Sequence, residues 1–214
     1  MKSNETSQDR IYRRLQRKFD RHVTGAPDSP TFLSILKLLF SPGEADLLEK
    51  VPIRPVTLEA LSAKTAIPPE DLDERMTDLA GRGLVIDFMS RGKRYFSLPP
   101  VVIGFFEYTF MRTRDELPMA ELASLFDRYM KEDDRFARSV FRETTQIGRS
   151  LVREEAIPEE DHTEVLDWER ATAIIGNART VGLSLCACRH KAGLLEKACD
   201  GPVETCLSFD FAAD

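Results

Sequence analysis

Apolar residues recur every three or four positions along most of this chain, and short stretches of alternation interrupt that rhythm in only a few places. The first periodic segment puts Ile11, Leu15 and Phe19 on one stripe and Arg10, Arg13, Arg14, Arg17, Lys18 and Arg21 on the other faces. That is the pattern of a basic amphipathic helix. A run rich in Gly, Pro, Asp and Ser over residues 25–30 reads as a linker, and residues 31–40 predict a short apolar helix after it. Ser41-Pro42-Gly43-Glu44 then supplies a capping serine, a first-turn proline and a first-turn carboxylate, which launch a helix through Leu47, Leu48 and Val51.

From Val56 the order of elements becomes informative. Residues 57–61 open a short helix, Thr65-Ala66-Ile67-Pro68-Pro69 turns, and residues 70–81 carry Leu72, Met76 and Leu79 at helical spacing. Gly81-Arg82-Gly83 ends that helix. Residues 84–88 read as a strand, Ser90-Arg91-Gly92-Lys93 as a hairpin turn and residues 94–98 as the return strand. Helix, turn, helix and β-wing in this order resemble a winged-helix domain.

Beyond Pro99-Pro100 the pattern is helical over residues 101–112, 118–131, 135–152 and 164–178, with an acidic, solvated loop at residues 154–161. Trp168 reads as a core anchor. The expected fold class is therefore mainly α with a small β-wing. It comprises a basic amphipathic arm (residues 1–25), a winged helix-turn-helix domain (31–98), a helical domain (101–180) and a cysteine-rich C-terminal module (181–214).

Composition narrows the setting. With 214 residues, 42% of them hydrophobic, the chain can bury a core of its own. Residues 1–10 do not resemble a signal peptide, and no apolar stretch approaches the length of a membrane span. A cytoplasmic location is expected, where thiols are normally kept reduced. The net charge of −6 is uneven: residues 1–25 hold seven basic side chains against three acidic ones, and the remainder is negative. The basic helix thus either docks on the acidic body of its own chain or of a partner subunit, or meets nucleic acid or an anionic lipid surface.

A winged helix that reads DNA lays its second helix in the major groove and its wing on the backbone. Here the second helix carries Glu70, Asp71, Asp73, Glu74 and Asp78 against Arg75 and Arg82, so groove insertion would set carboxylates against phosphates. Arg91, Lys93 and Arg94 on the wing, with the basic arm, are the candidate phosphate contacts. DNA is a disfavoured partner, and a protein-interaction use of the domain is the better expectation.

The chemistry concentrates at the C-terminal end. Cys186, Cys188, Cys199 and Cys206 are the only cysteines, separated by one, ten and six residues. Four thiolates complete the ligand shell of either a zinc ion or an iron–sulfur cluster, and the spacing alone leaves the metal open. Arg189, His190, Lys191 and Lys197 lie beside them in sequence and can offset the negative charge of a filled site. His190 is a further candidate ligand, whereas His22 and His162 read as surface residues. No Gly-rich phosphate loop, serine nucleophile elbow or histidine–carboxylate metal motif is present, so no catalytic residue is assigned.

The run Cys186-Ala187-Cys188-Arg189-His190-Lys191-Ala192, followed by Cys199-Asp200-Gly201-Pro202 and Glu204-Thr205-Cys206-Leu207, resembles the cysteine-rich segment of a family of anaerobic bacterial 4Fe-4S ferredoxin-type proteins. Members of that family typically join a winged-helix-like N-terminal part to a helical middle and this segment. The resemblance implies a 4Fe-4S cluster and an electron-transfer or redox-sensing role, with a redox protein or a second copy of the chain as partner. Such proteins usually continue into a ferredoxin domain, and this sequence ends at Asp214. The alternatives carried forward are a metal- or redox-responsive winged-helix transcription regulator and a structural zinc site.

Overall fold

Capping sets the first helices. The structure is a computed structural model and describes residues 6–132, 134–141, 168–210 and 213. Helix α1 (Ser7–Phe19) starts at a capping box in which Thr6 and Asp9 satisfy each other's backbone N–H groups. Ser29 and Ser41 cap α2 (Pro30–Leu39) and α3 (Pro42–Lys50), each with proline in its first turn and Glu44 closing a second capping box on α3. The helical launch expected at Ser41-Pro42-Gly43-Glu44 is present.

The basic helix α1 lies against α2 and α3 of its own chain. Its apolar stripe is inside, with Tyr12, Leu15 and Phe19 buried and Tyr12 Oη donating to the Phe40 carbonyl at 2.8 Å. Its charged faces find acceptors on the same body: Arg13 pairs with Asp28 at 2.8 Å and Arg14 with Asp46 at 2.9 Å, while Lys18 donates to the Glu49 carbonyl at 2.5 Å. The run read as a linker is packed, with Ala26 fully buried and its carbonyl accepting from Gln16 at 2.7 Å. His22, expected at the surface, is half-buried, and its Nε2 is buried without a partner because the chain folds back there toward Gly25.

Next come β1 (Val56–Thr57), α4 (Leu58–Thr65), α5 (Pro69–Gly81), β2 (Ile86–Ser90) and β3 (Lys93–Ser97). Ala66 ends α4 in the left-handed conformation at φ 56°. The three strands form one antiparallel sheet in the order β1-β3-β2, with Ser90 opposite Lys93 and Phe88 stacked on Tyr95 at 5.5 Å. Arg91 and Gly92 both have positive φ, the geometry a tight two-residue hairpin turn demands. Strand β2 begins two residues later than the alternation suggests, because Leu84 and Val85 are spent in the core. Gly83 makes that entry possible: its φ is +72°, and a Cβ there would come within 2.6 Å of the Tyr108 Cβ.

The helix expected over 101–112 shortens to α6 (Phe106–Phe110), since Val102, Ile103 and Gly104 have non-helical backbone after Pro99-Pro100. Helix α7 (Met119–Lys131) follows as expected, then α8 (Arg135–Phe141) and α9 (Trp168–Asn177). The rest of the expected helices, at residues 142–152 and 164–167, and the acidic loop at 154–161 with His162 lie outside the described residues. Trp168 is not a core anchor: it is 84% exposed at the start of α9, whose Ile174 and Ile175 also face outward. The core forms elsewhere, and its aromatic centre comes from α1, α2, α6, α7 and the turn before α6. Phe105 sits 4.9 Å from Phe19, Phe106 4.8 Å from Phe126, and Phe32 4.8 Å from Tyr129. Burying each ring contributes roughly 1.5–3 kcal/mol. The chain is thus mainly helical with small antiparallel sheets.

Candidate metal centre

The four cysteines belong to one local unit, β4 (Val181–Leu185), α10 (Ala187–Leu194) and β5 (Glu204–Phe209). Strand β4 leads directly into the first cysteine, Cys186. Strand β5, which the sequence reading missed, pairs with it antiparallel, Val181 opposite Phe209 and Ser184 opposite Cys206, with a register shift after Ser184. Helix α10 begins at Ala187, since Cys186 is its N-cap and the Cys186 carbonyl accepts from His190 N at 2.8 Å. It ends near Leu195, where Glu196 turns at φ 57°.

This topology fixes each sulfur's place. Cys186 has extended backbone just past β4, and its N–H donates to the Val203 carbonyl at 2.7 Å. Cys186 thus stands level with Val203, past the register shift, whereas Cys206 is paired with Ser184 inside the sheet. Cys188 stands in the first turn of α10, and Cys199 in the loop between α10 and β5. All four are free thiols; Cys188 and Cys199 are exposed and Cys186 and Cys206 half-buried. Among the described residues, no three His, Cys, Asp or Glu side chains converge on one ion position.

Arg189 runs through the middle of this unit. Its Nε donates to Cys199 Sγ at 3.2 Å, and its Nη1 donates to the Thr205 hydroxyl at 3.2 Å and to the Pro202 carbonyl. A Cβ on Gly201 would fall 3.2 Å from the guanidinium, so glycine leaves the room this side chain uses. The Gly201 N–H and the Arg189 guanidinium together hold the Cys199 thiol below its ordinary range, favouring the thiolate that binds metals.

His190 and Lys191 serve the attachment to the helical core. His190 Nδ1 lies 2.8 Å from the Phe110 carbonyl, to which it donates, and the ring meets Phe110 edge-on. Lys191 pairs with Asp127 at 3.5 Å and sits over the Phe106 ring. Leu185 N donates to the Met111 carbonyl at 3.1 Å. The same segment continues to α5: Arg112 donates to the Gly81 carbonyl at 3.1 Å and Arg114 to the Arg82 carbonyl at 2.5 Å. Arg82 in turn binds Glu44 at 2.5 Å and the Leu39 carbonyl at 2.8 Å. A run of basic residues around one Pro-flanked aromatic helix was the only sequence trace of this link.

On the β2–β3 turn, Arg91 and Lys93 are exposed. Arg94, expected among the phosphate contacts, is occupied instead. It donates to Asp87 at 2.6 Å, Asp73 at 2.9 Å and Thr77 at 2.7 Å while lying over Phe96, and so clamps α5 to the hairpin.

Compared with known proteins, the chain matches no family model, no curated protein and no solved structure. No helix among the described residues is long and apolar enough to cross a membrane.

Proposed function

We propose that this chain binds an iron–sulfur cluster of the 4Fe-4S type through Cys186, Cys188, Cys199 and Cys206 and serves in electron transfer or redox sensing. The observation that carries the reading is a set of four free, solvent-reachable thiols on one β–α–β unit, one of them already biased toward thiolate by Arg189. Soft sulfur donors in that number suit the cluster, which when bound would supply a one-electron couple. The chain's own residues would bind and orient it: the junction of β4 and α10 presents Cys186, α10 presents Cys188, the loop braced by Arg189 presents Cys199, and β5 presents Cys206.

The β1–α4–α5–β2–β3 segment is, in this proposal, a winged helix used to dock a redox protein or a second copy of the chain. Its acidic α5 and the capture of Arg94 by Asp73 and Asp87 favour protein over DNA. The polar link from Leu185 through Arg112 and Arg114 to α5 favours a second reading, a regulator whose DNA affinity responds to the metal centre. Duplex binding at low salt that is undetectable with and without metal removes that second reading.

The main proposal is tested by purifying the chain anaerobically and assaying iron, acid-labile sulfide, zinc and visible charge-transfer absorption. Iron and sulfide in equal amounts with absorption near the blue support it. Stoichiometric zinc without sulfide replaces it with a structural zinc site.

A further inference from the structure

Four basic residues flank the cysteines in sequence, but they do different work. His190 and Lys191 face the helical core through Phe110, Asp127 and Phe106, and the charge of Lys197 also acts on Asp127. Arg189 alone among these four makes a hydrogen bond to a cysteine sulfur, Cys199 Sγ at 3.2 Å. Its guanidinium is held there from the other side by the Pro202 carbonyl and the Thr205 hydroxyl, and Gly201 leaves the space. A cation with its orientation fixed by a backbone carbonyl and a side-chain hydroxyl contributes a constant field at the sulfur rather than a mobile surface charge.

We propose that Arg189 is a positioning residue of the four-cysteine centre, a fixed guanidinium that favours its reduced, more negative form and so raises its reduction potential. This rests on the iron–sulfur reading above. Reduction by one electron from a low-potential donor, dithionite in the test, leaves every bond in place and adds one negative charge. A neighbouring positive charge therefore stabilises the product more than the reactant, as does a donor hydrogen bond to the thiolate sulfur. A unit charge about 4 Å away, fully screened by water, shifts a one-electron equilibrium by about fivefold.

The test compares anaerobically reconstituted wild-type chain with Arg189→Gln, Arg189→Lys and Lys197→Gln. Each is assayed for iron per chain and for midpoint potential by mediated dithionite titration followed by absorption and electron paramagnetic resonance. With iron retained, Arg189→Gln is expected to lower the reduced-to-oxidised ratio at a fixed poise by about fivefold, or about 40 mV for one electron. Arg189→Lys, which keeps the charge, is expected to fall between this variant and wild type, and Lys197→Gln to match wild type. An unshifted potential in iron-loaded Arg189→Gln overturns the proposal, and so does an equal shift in Lys197→Gln. Loss of iron from both Arg189 variants also overturns it, since Arg189 would then be a brace of the loop alone. Wild-type chain without iron or sulfide is a separate outcome that removes the reading beneath it.

Discussion

His22 gives the protein a pH dependence that can be worked from its surroundings. Burial pushes its pKa down to about 4, and its Nε2 is enclosed without a hydrogen-bond partner beside the Phe19 ring, 6.5 Å away. A base whose folded pKa is depressed contributes stability above its unfolded pKa and loses it as the pH falls through that value toward the folded one. With an unfolded pKa of about 6.5, lowering the pH from 7 to 4.5 lets the unfolded chain take up a proton that the folded chain refuses. At full strength this costs about 2 kcal/mol, and solvent reaching the partly exposed ring reduces it to about half. His22→Phe keeps a flat ring against Phe19 and removes the titration. Urea unfolding of both proteins at pH 7 and 4.5 measures the difference, and carboxylates common to both cancel. The variant is expected to lose about 1 kcal/mol less than wild type between the two pH values. Equal losses would show that the His22 environment does not exclude the charged ring.

Other outcomes follow from the same geometry. Phe105→Ala empties a fully buried ring site 4.9 Å from Phe19 and is expected to cost about 3–5 kcal/mol by denaturant unfolding. Gly83→Ala forces a side chain into a left-handed position 2.6 Å from the Tyr108 Cβ, and is expected to destabilise by about 1–3 kcal/mol in the same assay. In metal-free protein, Cys199 is expected to be alkylated by iodoacetamide ahead of the other three cysteines near pH 7, with Arg189→Gln slowing it; peptide mapping over a time course reads both. Arg94→Met is expected to loosen α5 from the hairpin, seen as faster amide exchange in residues 86–97, because it breaks the bridges to Asp73 and Asp87.

Local signals carried well where local chemistry decides. Ser41-Pro42-Gly43-Glu44 made its helix start, Leu72, Met76 and Leu79 turned inward on α5, and Arg91-Gly92 made the hairpin turn. The stripe of Ile11, Leu15 and Phe19 marked α1, and of the docking alternatives the acidic acceptors of its own chain took Arg13 and Arg14. Misreadings occurred where tertiary context decides. Trp168 is large and apolar, yet α9 offers its face to solvent; His22 looks polar, yet the fold-back to Gly25 encloses it. Arg94 reads in sequence as one more wing cation, and only the fold brings Asp73, 21 positions away, and Asp87, across the hairpin, onto it. At the candidate centre the ligand types were legible from clustering alone. The roles of Arg189 as brace and of His190 as anchor depend on Thr205 and on Phe110, which is 80 positions away in the chain, and no spacing rule reports either.

The central claim is that four unevenly spaced sulfurs share one inorganic core. Mössbauer spectroscopy of anaerobically purified, iron-57-enriched chain tests it most directly, because it identifies and counts iron in sulfur-bound clusters. About four irons per chain in a 4Fe-4S signature, lost in Cys186→Ser and Cys206→Ser, is the predicted result. A chain that retains its fold and its four reactive thiols but carries no cluster iron contradicts it.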